Sequence, residues 1–399
     1  MSPRRSPRTG RAALSDDDAR RPGLAVIAVL VSSTAVVAFG TSFLVGPRAA
    51  PDHAGDAGRA AAHRFLDRYL DPDGRVVRRD QGGDSVSEGQ AYAMLLAQAV
   101  GDRGRFDLAW DWARRNLQRS DALLAWRWAD GRVQDPMPAA DADLDAAWAL
   151  VLAATRFDDT GLRHEGLRIA AAVLDHETIR VDGTGVDGTG VAGAPSEGIV
   201  LVAGPWAREP KMVNPSYVSP GALTAMAEET DDPRWPAMAD TSRRLLAQLV
   251  GPDRPLPPDW SRLDPTGALE PAATPGKEGE EGEEPRYGLD AARLLPRLAP
   301  CAGGWASVAA AGWPALAASP GMGAEMVADL QGRPVEGAPH PAKAVGASAA
   351  AHAAGDDRAR DALLARAEDL DRGSPTYYGA AWVAMGRLLL TSSLGGSCA

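Results

Sequence analysis

Acidic side chains placed just before apolar helical segments are the groups in this chain best suited to chemistry. Glu88 follows Ser87 and opens such a segment. One interpretation is structural, because Ser87 is a favoured helix N-cap and an acid in the first turn suits the helix dipole. The other is a carboxyl at the rim of a cleft, where apolar neighbours would raise its pKa and let it donate a proton.

A second acidic segment contains Asp141, Asp143 and Asp145 at alternate positions ahead of another apolar helix. One of the three can serve as the N-cap of that helix. The other two repel each other at this spacing. A metal, an arginine or a bound ligand would offset that repulsion.

Two further segments add a tyrosine and an acid–base pair. Asn214 to Tyr217 has the composition of a turn, and Tyr217 either packs or holds a water with its hydroxyl. Asp290 and Arg293 are three residues apart and can pair on one helical face. That pair is either an ordinary surface contact or an ionised carboxylate that Arg293 keeps basic and oriented.

The elements that must position these groups are almost all helices. Apolar residues recur at three- and four-residue spacing over residues 61–70, 89–100, 106–117, 144–155, 162–174, 221–229, 235–249, 287–298, 304–318, 321–330, 341–354, 359–368 and 377–390. The best strand signal is 197–203, and the Gly-rich repeat at 181–190 and the Glu-rich 276–285 look like surface insertions. The pattern predicts an all-α fold. It fits a toroid of two concentric helix layers, although a plain bundle would share the periodicity.

Composition narrows the partners. The chain has 399 residues, a net charge of −11 and a pI near 5.1. An acidic chain is a poor match for nucleic acid or for an acidic polymer, whereas a neutral polysaccharide stays open. The chain has 11 Trp but only 5 Phe, and Trp rings stack on sugars as well as filling cores. A monomer is expected.

The N-terminus predicts export. We expect a basic cytoplasmic tail at 1–22, a membrane-spanning signal anchor at 23–46, a linker at 47–59 and the catalytic domain at 60–395. A cleavable signal peptide is the alternative, with Ala38-Phe39-Gly40 as a small-residue site. The domain would then be secreted. Cys301 and Cys398 either form one bridge or stay as two thiols.

Taken in order, these segments resemble glycoside hydrolase family 8, which includes bacterial endoglucanases and the cellulase of cellulose-synthesis operons. The resemblance covers about residues 60–390. It rests on Ser87–Gln90, Ala139–Phe157, Asn214–Tyr217, Leu256–Trp260 and Tyr287–Arg293, with additional segments at 123–128 and 375–378. The chain departs from the family pattern at Ala140, Ala146 and Leu289. The resemblance implies an (α/α)6 barrel.

The resemblance also implies a role for each matched residue. Glu88 would be the general acid, Asp290 the general base, Tyr217 the group that places the water, and Asp141 the group that holds a distorted sugar. The implied substrate-binding residues are Trp126, Arg127, Trp128, Trp260 and Arg293. No metal and no cofactor are required. The expected reaction is inverting hydrolysis of a β-1,4-glucan by an endo-acting cellulase.

Other functions remain open at this stage. The same scaffold hosts chitosanases, lichenases and xylanases. A weakly catalytic glucan-binding partner of a membrane polysaccharide synthase is a second alternative. An isoprenoid cyclase is a third, in which Asp141, Asp143 and Asp145 would bind Mg²⁺.

Overall fold

A computed structural model describes residues 53–183, 196–275, 284–391 and 398. The predicted basic tail and signal anchor lie outside the described residues, as does the first half of the predicted linker. Its second half is helical, since the first helix already begins at His53. Among the described residues, no helix has the length and apolar character needed to cross a membrane.

The described chain is mostly helical, as the sequence predicts. The helices are α1 (His53–Tyr69), α2 (Ser87–Val100), α3 (Arg103–Asn116), α4 (Ala140–Phe157), α5 (Thr160–His176), α6 (Pro220–Thr230), α7 (Arg234–Leu249), α8 (Leu289–Leu298), α9 (Trp305–Ala311), α10 (Trp313–Ala318), α11 (Pro341–Ala353), α12 (Asp357–Gly373) and α13 (Tyr377–Thr391). Short 3₁₀ turns lie at Arg79–Gln81, Pro205–Arg208, Pro215–Tyr217 and Pro320–Gly323.

One predicted helix is wrong. Residues 321–330 begin in a 3₁₀ turn and continue as a strand that pairs with Pro334–Pro339. Gly321 and Gly323 have positive φ angles of 65° and 82°. A right-handed helix does not continue through left-handed residues, so the apolar spacing here belongs to a hairpin.

Six helices form an inner layer. Helix α2 contacts α4, α4 contacts α6, α6 contacts α8, α8 contacts α11, α11 contacts α13, and α13 returns to α2. Helices α1, α3, α5, α7, α9 and α12 pack outside them. Inner helices such as α2 and α4 are buried on nearly every face. This order of contacts agrees with the helical toroid that the sequence predicts.

Glycines allow the inner helices to approach closely. A Cβ on Gly346 would lie 2.6 Å from the carbonyl oxygen of Ala292 on α8. A Cβ on Gly386 would lie 2.4 Å from Cγ1 of Val345 on α11. Since real Cβ atoms do not reach such distances, both helix contacts require glycine.

The strands are short and antiparallel, and sequence patterns revealed only one of them. They are β1 (Ser85–Val86), β2 (Arg127–Ala129), β3 (Arg132–Asp135), β4 (Thr178–Gly183), β5 (Ser196–Leu201), β6 (Met212–Val213), β7 (Trp260–Leu263), β8 (Leu269–Ala272), β9 (Glu325–Ala328) and β10 (Pro334–Pro339). The predicted strand at 197–203 corresponds to β5. In the first sheet, Val86 lies opposite Arg127, which brings the Trp126 segment beside the start of α2.

Cys301 and Cys398 form a disulfide, with 5.2 Å between their Cα atoms. The sequence had left this pairing open. The bridge ties the C-terminus to the segment that follows α8.

Candidate active site

Arg293 on α8 gathers three carboxyl groups. Its side chain is only 2% exposed. Nη1 lies 3.3 Å from Oε2 of Glu88, and Nη2 lies 2.8 Å from Oδ2 of Asp141 and 3.3 Å from Oδ1 of Asp290. Three acids that are far apart in the sequence therefore meet on one guanidinium. Glu88, Asp141 and Asp290 lie in the first turns of α2, α4 and α8, which are helices of the inner layer.

The rest of the guanidinium is held by neutral groups. Nε donates to Oγ of Ser216 at 2.9 Å, and Nη1 donates to the hydroxyl of Tyr92 at 2.7 Å. The rings of Tyr217 and Tyr378 lie 5.3 and 6.0 Å from its central carbon. Such a planar group with several fixed donors suits simultaneous contact with several carboxylates.

Glu88 lies in a setting that favours its protonated form. Its side chain is 19% exposed, and Oε1 accepts a hydrogen bond from the hydroxyl of Tyr377 at 3.2 Å. Burial raises the pKa of Glu88 to about 7, with further upward effects from Asp141 and Asp290 and a downward effect from Arg293. The expected N-cap at Ser87 is wrong, because Val86 is the cap residue and no side chain caps this end.

Asp290 is the more open acid, with its side chain 31% exposed. Its Oδ2 accepts a hydrogen bond from the Asn214 side-chain amide at 2.9 Å. Asp290 also lines a cleft of about 230 Å³ together with Asp259, Trp260 and Leu289. The predicted pairing of Asp290 with Arg293 is present, and the arginine is buried beside the cleft rather than on the outer surface.

The three aspartates of the second segment face different partners. Asp141 faces Arg293, Asp143 accepts from the backbone N–H of Leu124 at 2.7 Å, and Asp145 pairs with Arg297. None of them caps α4, whose cap residue is Ala139. Among the residues that the structure describes, no group of three or more His, Cys, Asp or Glu side chains is placed to hold a metal ion. This divergence argues against the Mg²⁺ site of the cyclase alternative.

Tyr217 belongs to the same cluster. It ends the 3₁₀ turn that Pro215 begins, and the side chain of Asn214 accepts from the N–H of Ser216, as expected for turn chemistry. Burial raises the pKa of the Tyr217 hydroxyl well above its usual value, so the group stays neutral. A neutral hydroxyl can both donate and accept a hydrogen bond.

The predicted aromatic contacts differ in exposure. Trp126 is 39% exposed, whereas Trp128 packs edge-on against Trp112 and has the Arg75 guanidinium over its ring at 5.0 Å. Arg127 pairs with the buried carboxylate of Asp84 at 2.5 Å. Of these three consecutive predicted contacts, Trp126 has the most ring surface open to a ligand.

Trp260 packs near Tyr217. Its ring centroid is 6.3 Å from that of Tyr217 and 6.2 Å from that of Trp206, an exposed residue that the sequence analysis did not select. Trp260 also lines the cleft beside Asp290. The cluster of acids thus has an aromatic surface next to it.

Sequence reasoning missed several residues that contact the acids. Tyr377 donates to Glu88, and Asn214 donates to Asp290. The hydroxyl of Tyr92 contacts no acid but accepts a hydrogen bond from Arg293, which the acids share. Tyr377 and Asn214 lie in segments that carry the family resemblance. Their place in these segments was the one sequence feature that could have pointed to them. The carboxyls that they contact are 289 and 76 residues away, so no local pattern reveals the contacts.

Comparisons with known proteins identify the family of the chain. Residues 52–277 match the glycosyl hydrolases family 8. A probable endoglucanase of Novacetimonas hansenii is 36% identical over 262 residues, which are 64% of this chain and 70% of that protein. An endoglucanase of Cellulomonas uda is 31% identical over 278 residues, 68% of each chain.

A solved structure is also similar. It is the endo-beta-1,4-glucanase CMCax from Acetobacter xylinum, with a TM-score of 0.67, 26% identity, and coverage of 84% of this chain and 98% of that chain. The family match covers more than half of the chain, and the matched region contains Glu88, Asp141 and Tyr217. The chain belongs to glycosyl hydrolases family 8.

Proposed function

We propose that this glycoside hydrolase cleaves internal β-1,4 bonds of a cellulose-like glucan with inversion of configuration. The observation that carries the proposal is the meeting of Glu88, Asp141 and Asp290 on Arg293. Glycoside hydrolysis needs one protonated carboxyl and one carboxylate near the same bond. The relatives reported above are named endoglucanases, which supports a β-glucan as the substrate.

The environments of the two acids fit separate roles. Glu88, whose pKa is raised to about 7, gives its proton to the glycosidic oxygen as the bond to the anomeric carbon breaks. Asp290, which already accepts hydrogen bonds, takes a proton from the water that attacks that carbon. The hydroxyl of Tyr217 helps to place the water, and Asp141 holds the sugar in a distorted ring form.

The separation of the two acids is compatible with inversion. Oε2 of Glu88 and Oδ1 of Asp290 each lie 3.3 Å from a terminal nitrogen of one guanidinium. Their separation is therefore at most about 9 Å, a bound that overlaps the roughly 6.5–9.5 Å of inverting enzymes and also includes the about 5–5.5 Å of retaining ones. We further propose that Trp126 and Trp260 stack on neighbouring sugars, with Arg127 and Trp128 forming the adjoining wall.

Two measurements test the proposed reaction. Reducing-sugar release from soluble β-glucans, xylan and chitosan should be greatest with a β-1,4-glucan, and a preference for xylan or chitosan would overturn the substrate assignment. Proton NMR during the first minutes should show the α-anomer of the new reducing end. A β-anomer appearing first would mean a carboxylate nucleophile, as in retaining enzymes, and would contradict the role of Asp290.

We also propose that the helical domain works as a monomeric (α/α)6 barrel outside the cytoplasmic membrane, held by the segment at 23–46 or released after its cleavage. The arginine-rich start followed by an apolar run supports this orientation. The Cys301–Cys398 bridge supports an oxidising compartment. A C-terminal alkaline phosphatase fusion should be active and a cytoplasm-dependent reporter inactive. The opposite pattern would refute export.

A further inference from the structure

Asp259 is a buried acid that the proposed reaction does not use. It is 9% exposed and lies just before β7, in the loop after α7. Its Oδ1 accepts two backbone hydrogen bonds, from the N–H of Gly288 at 3.0 Å and from the N–H of Ala291 at 2.7 Å. These two N–H groups flank Asp290 at the start of α8.

The first turn of α8 has no side-chain cap of its own. Gly288 is its cap residue and carries no side chain. Helix starts leave several N–H groups without partners, and a carboxylate that accepts them fixes the turn. Asp259 supplies that cap from about thirty residues earlier in the chain. The backbone N–H of Asp259 also donates to the carbonyl of Arg286 at 2.8 Å. Both the backbone and the side chain of Asp259 therefore bind the segment that begins α8.

Gly288 makes the fit specific. A Cβ at this position would lie 2.1 Å from Oδ2 of Asp259. Any larger residue would therefore push the carboxylate and the helix start apart. The same Asp259 lines the cleft beside Asp290, and its neighbour Trp260 packs towards Tyr217.

We propose that Asp259 is a positioning residue for Asp290. It fixes the backbone from which the Asp290 side chain projects, while Asn214 and Arg293 hold the two carboxylate oxygens. This inference rests on the proposed role of Asp290 as the general base. The proposed mechanism gives Asp259 no proton to transfer, and Asp259 acts through the position of Asp290.

Three variants of the full chain test the inference. Asp259→Ala removes the acceptor, and we expect kcat on a soluble β-1,4-glucan to fall about 100-fold with little change in KM, because a shift of about 1 Å in a reacting group has an effect of this size. Asp259→Asn keeps the Oδ1 acceptor and should stay within about threefold of wild type. Gly288→Ala should resemble Asp259→Ala, because the added Cβ displaces the cap from the other side.

A double-mutant cycle with Asp290→Ala separates positioning from general damage. If Asp259 acts through Asp290, adding Asp259→Ala to Asp290→Ala should cause almost no further loss of kcat. A further loss as large as in the wild-type background would overturn the inference, as would an Asn variant as impaired as the Ala variant. If Asp290→Ala alone keeps near-wild-type activity, the proposed base fails instead, so the two failures are distinguishable.

A loss of folding must be distinguished from a loss of positioning in each variant. Circular dichroism and thermal unfolding of each variant show whether its structure is retained. Where Asp259→Ala does not fold, Gly288→Ala and Asp259→Asn carry the cycle with Asp290→Ala. In that form, full additivity of Gly288→Ala with Asp290→Ala would overturn the inference.

Discussion

Two ion pairs one helical turn apart perform different tasks in this fold. Asp141 and Asp145 are four residues apart on α4, and they face Arg293 and Arg297, four residues apart on α8. In the Asp145–Arg297 pair, both oxygens of Asp145 accept from Arg297, at 2.8 and 2.5 Å. Both arginines are equally buried, but this pair is balanced one to one, whereas Arg293 is shared among three acids.

The difference in charge balance bears on the chemistry proposed around Arg293. This one arginine faces Glu88, Asp141 and Asp290 together. Burial, with the charges of Asp141 and Asp290, raises the pKa of Glu88 to about 7, so we assign the transferable proton to Glu88. Among the described residues, no further acid pairs with Arg297. The number of acids around each arginine therefore distinguishes the two clusters, although the residue types are the same.

The largest effect is expected from removing Glu88, the proposed proton donor beside Arg293. Glu88→Gln keeps the shape of the side chain but has no proton to transfer, so kcat should fall by roughly 10²–10⁴-fold. Initial rates on a soluble β-1,4-glucan measure this. Glu165→Gln is a matched control, because among the described residues the ion pair of Glu165 is with Arg168, near the surface of α5. Glu88→Gln activity within a few-fold of the control would rule out Glu88 as the acid.

Disrupting the Asp145–Arg297 pair should instead change the stability of the fold. Arg297→Met leaves the Asp145 carboxylate buried without its cation, which is expected to lower the free energy of unfolding by about 3–5 kcal/mol. Adding Asp145→Leu removes the unpaired charge and should restore most of that loss. Urea unfolding at pH 7 measures both variants. A double variant no more stable than Arg297→Met would show that the pair is not an isolated structural unit.

The raised pKa of Glu88 predicts a pH-dependent stability difference. Its pKa is about 7 in the folded protein and near 4.5 in an unfolded chain. Between these values the folded protein binds more protons, so this group lowers stability as pH rises from about 4.5 to 7. Glu88→Gln lacks this effect. Relative to wild type, the variant should gain up to about 3 kcal/mol between pH 4.5 and pH 8.

Unfolding midpoints of wild type and Glu88→Gln at the two pH values supply the measurement. Activity of the wild type should also decline as pH rises through about 7, because the proton donor is then ionised. A stability difference independent of pH would mean that Glu88 is not held in its protonated form by the cluster.

The sequence predicted the contact between Asp290 and Arg293 better than the Asp145–Arg297 pair, for a physical reason. Asp290 and Arg293 are neighbours on one helix, so their spacing alone predicts a contact. Asp145 and Arg297 are 152 residues apart, and no local pattern joins them. Helix positions were predicted because a 3.6-residue apolar period is a local signal, and the ring of helices agrees with the toroid that fits the same pattern.

Other parts of the structure depend on contacts that no local pattern encodes. Three of the described strands have only two or three residues, shorter than the four to eight residues over which a period-two pattern is read. The segment 321–330 has helical spacing, but the positive φ angles of Gly321 and Gly323 stop the helix. Neither Ser87 nor the aspartates cap their helices, whose cap residues are Val86 and Ala139. Glu88 and Asp141 instead face Arg293 on α8.

The smallest effect is expected at Trp126, whose ring is exposed and whose backbone carbonyl accepts a hydrogen bond from the N–H of Ser87 at 2.9 Å, next to Glu88. Stacking of an aromatic ring contributes about 0.5–1.5 kcal/mol, so Trp126→Ala should raise KM for a glucan by roughly two- to tenfold and leave kcat and the unfolding midpoint near wild type. Trp128→Ala is the matched control. Its ring packs against Trp112 and under Arg75, so its loss should lower thermal stability more than Trp126→Ala does. If Trp126→Ala leaves KM unchanged while Trp128→Ala raises it, the substrate lies along Trp128 and the assignment of Trp126 is wrong.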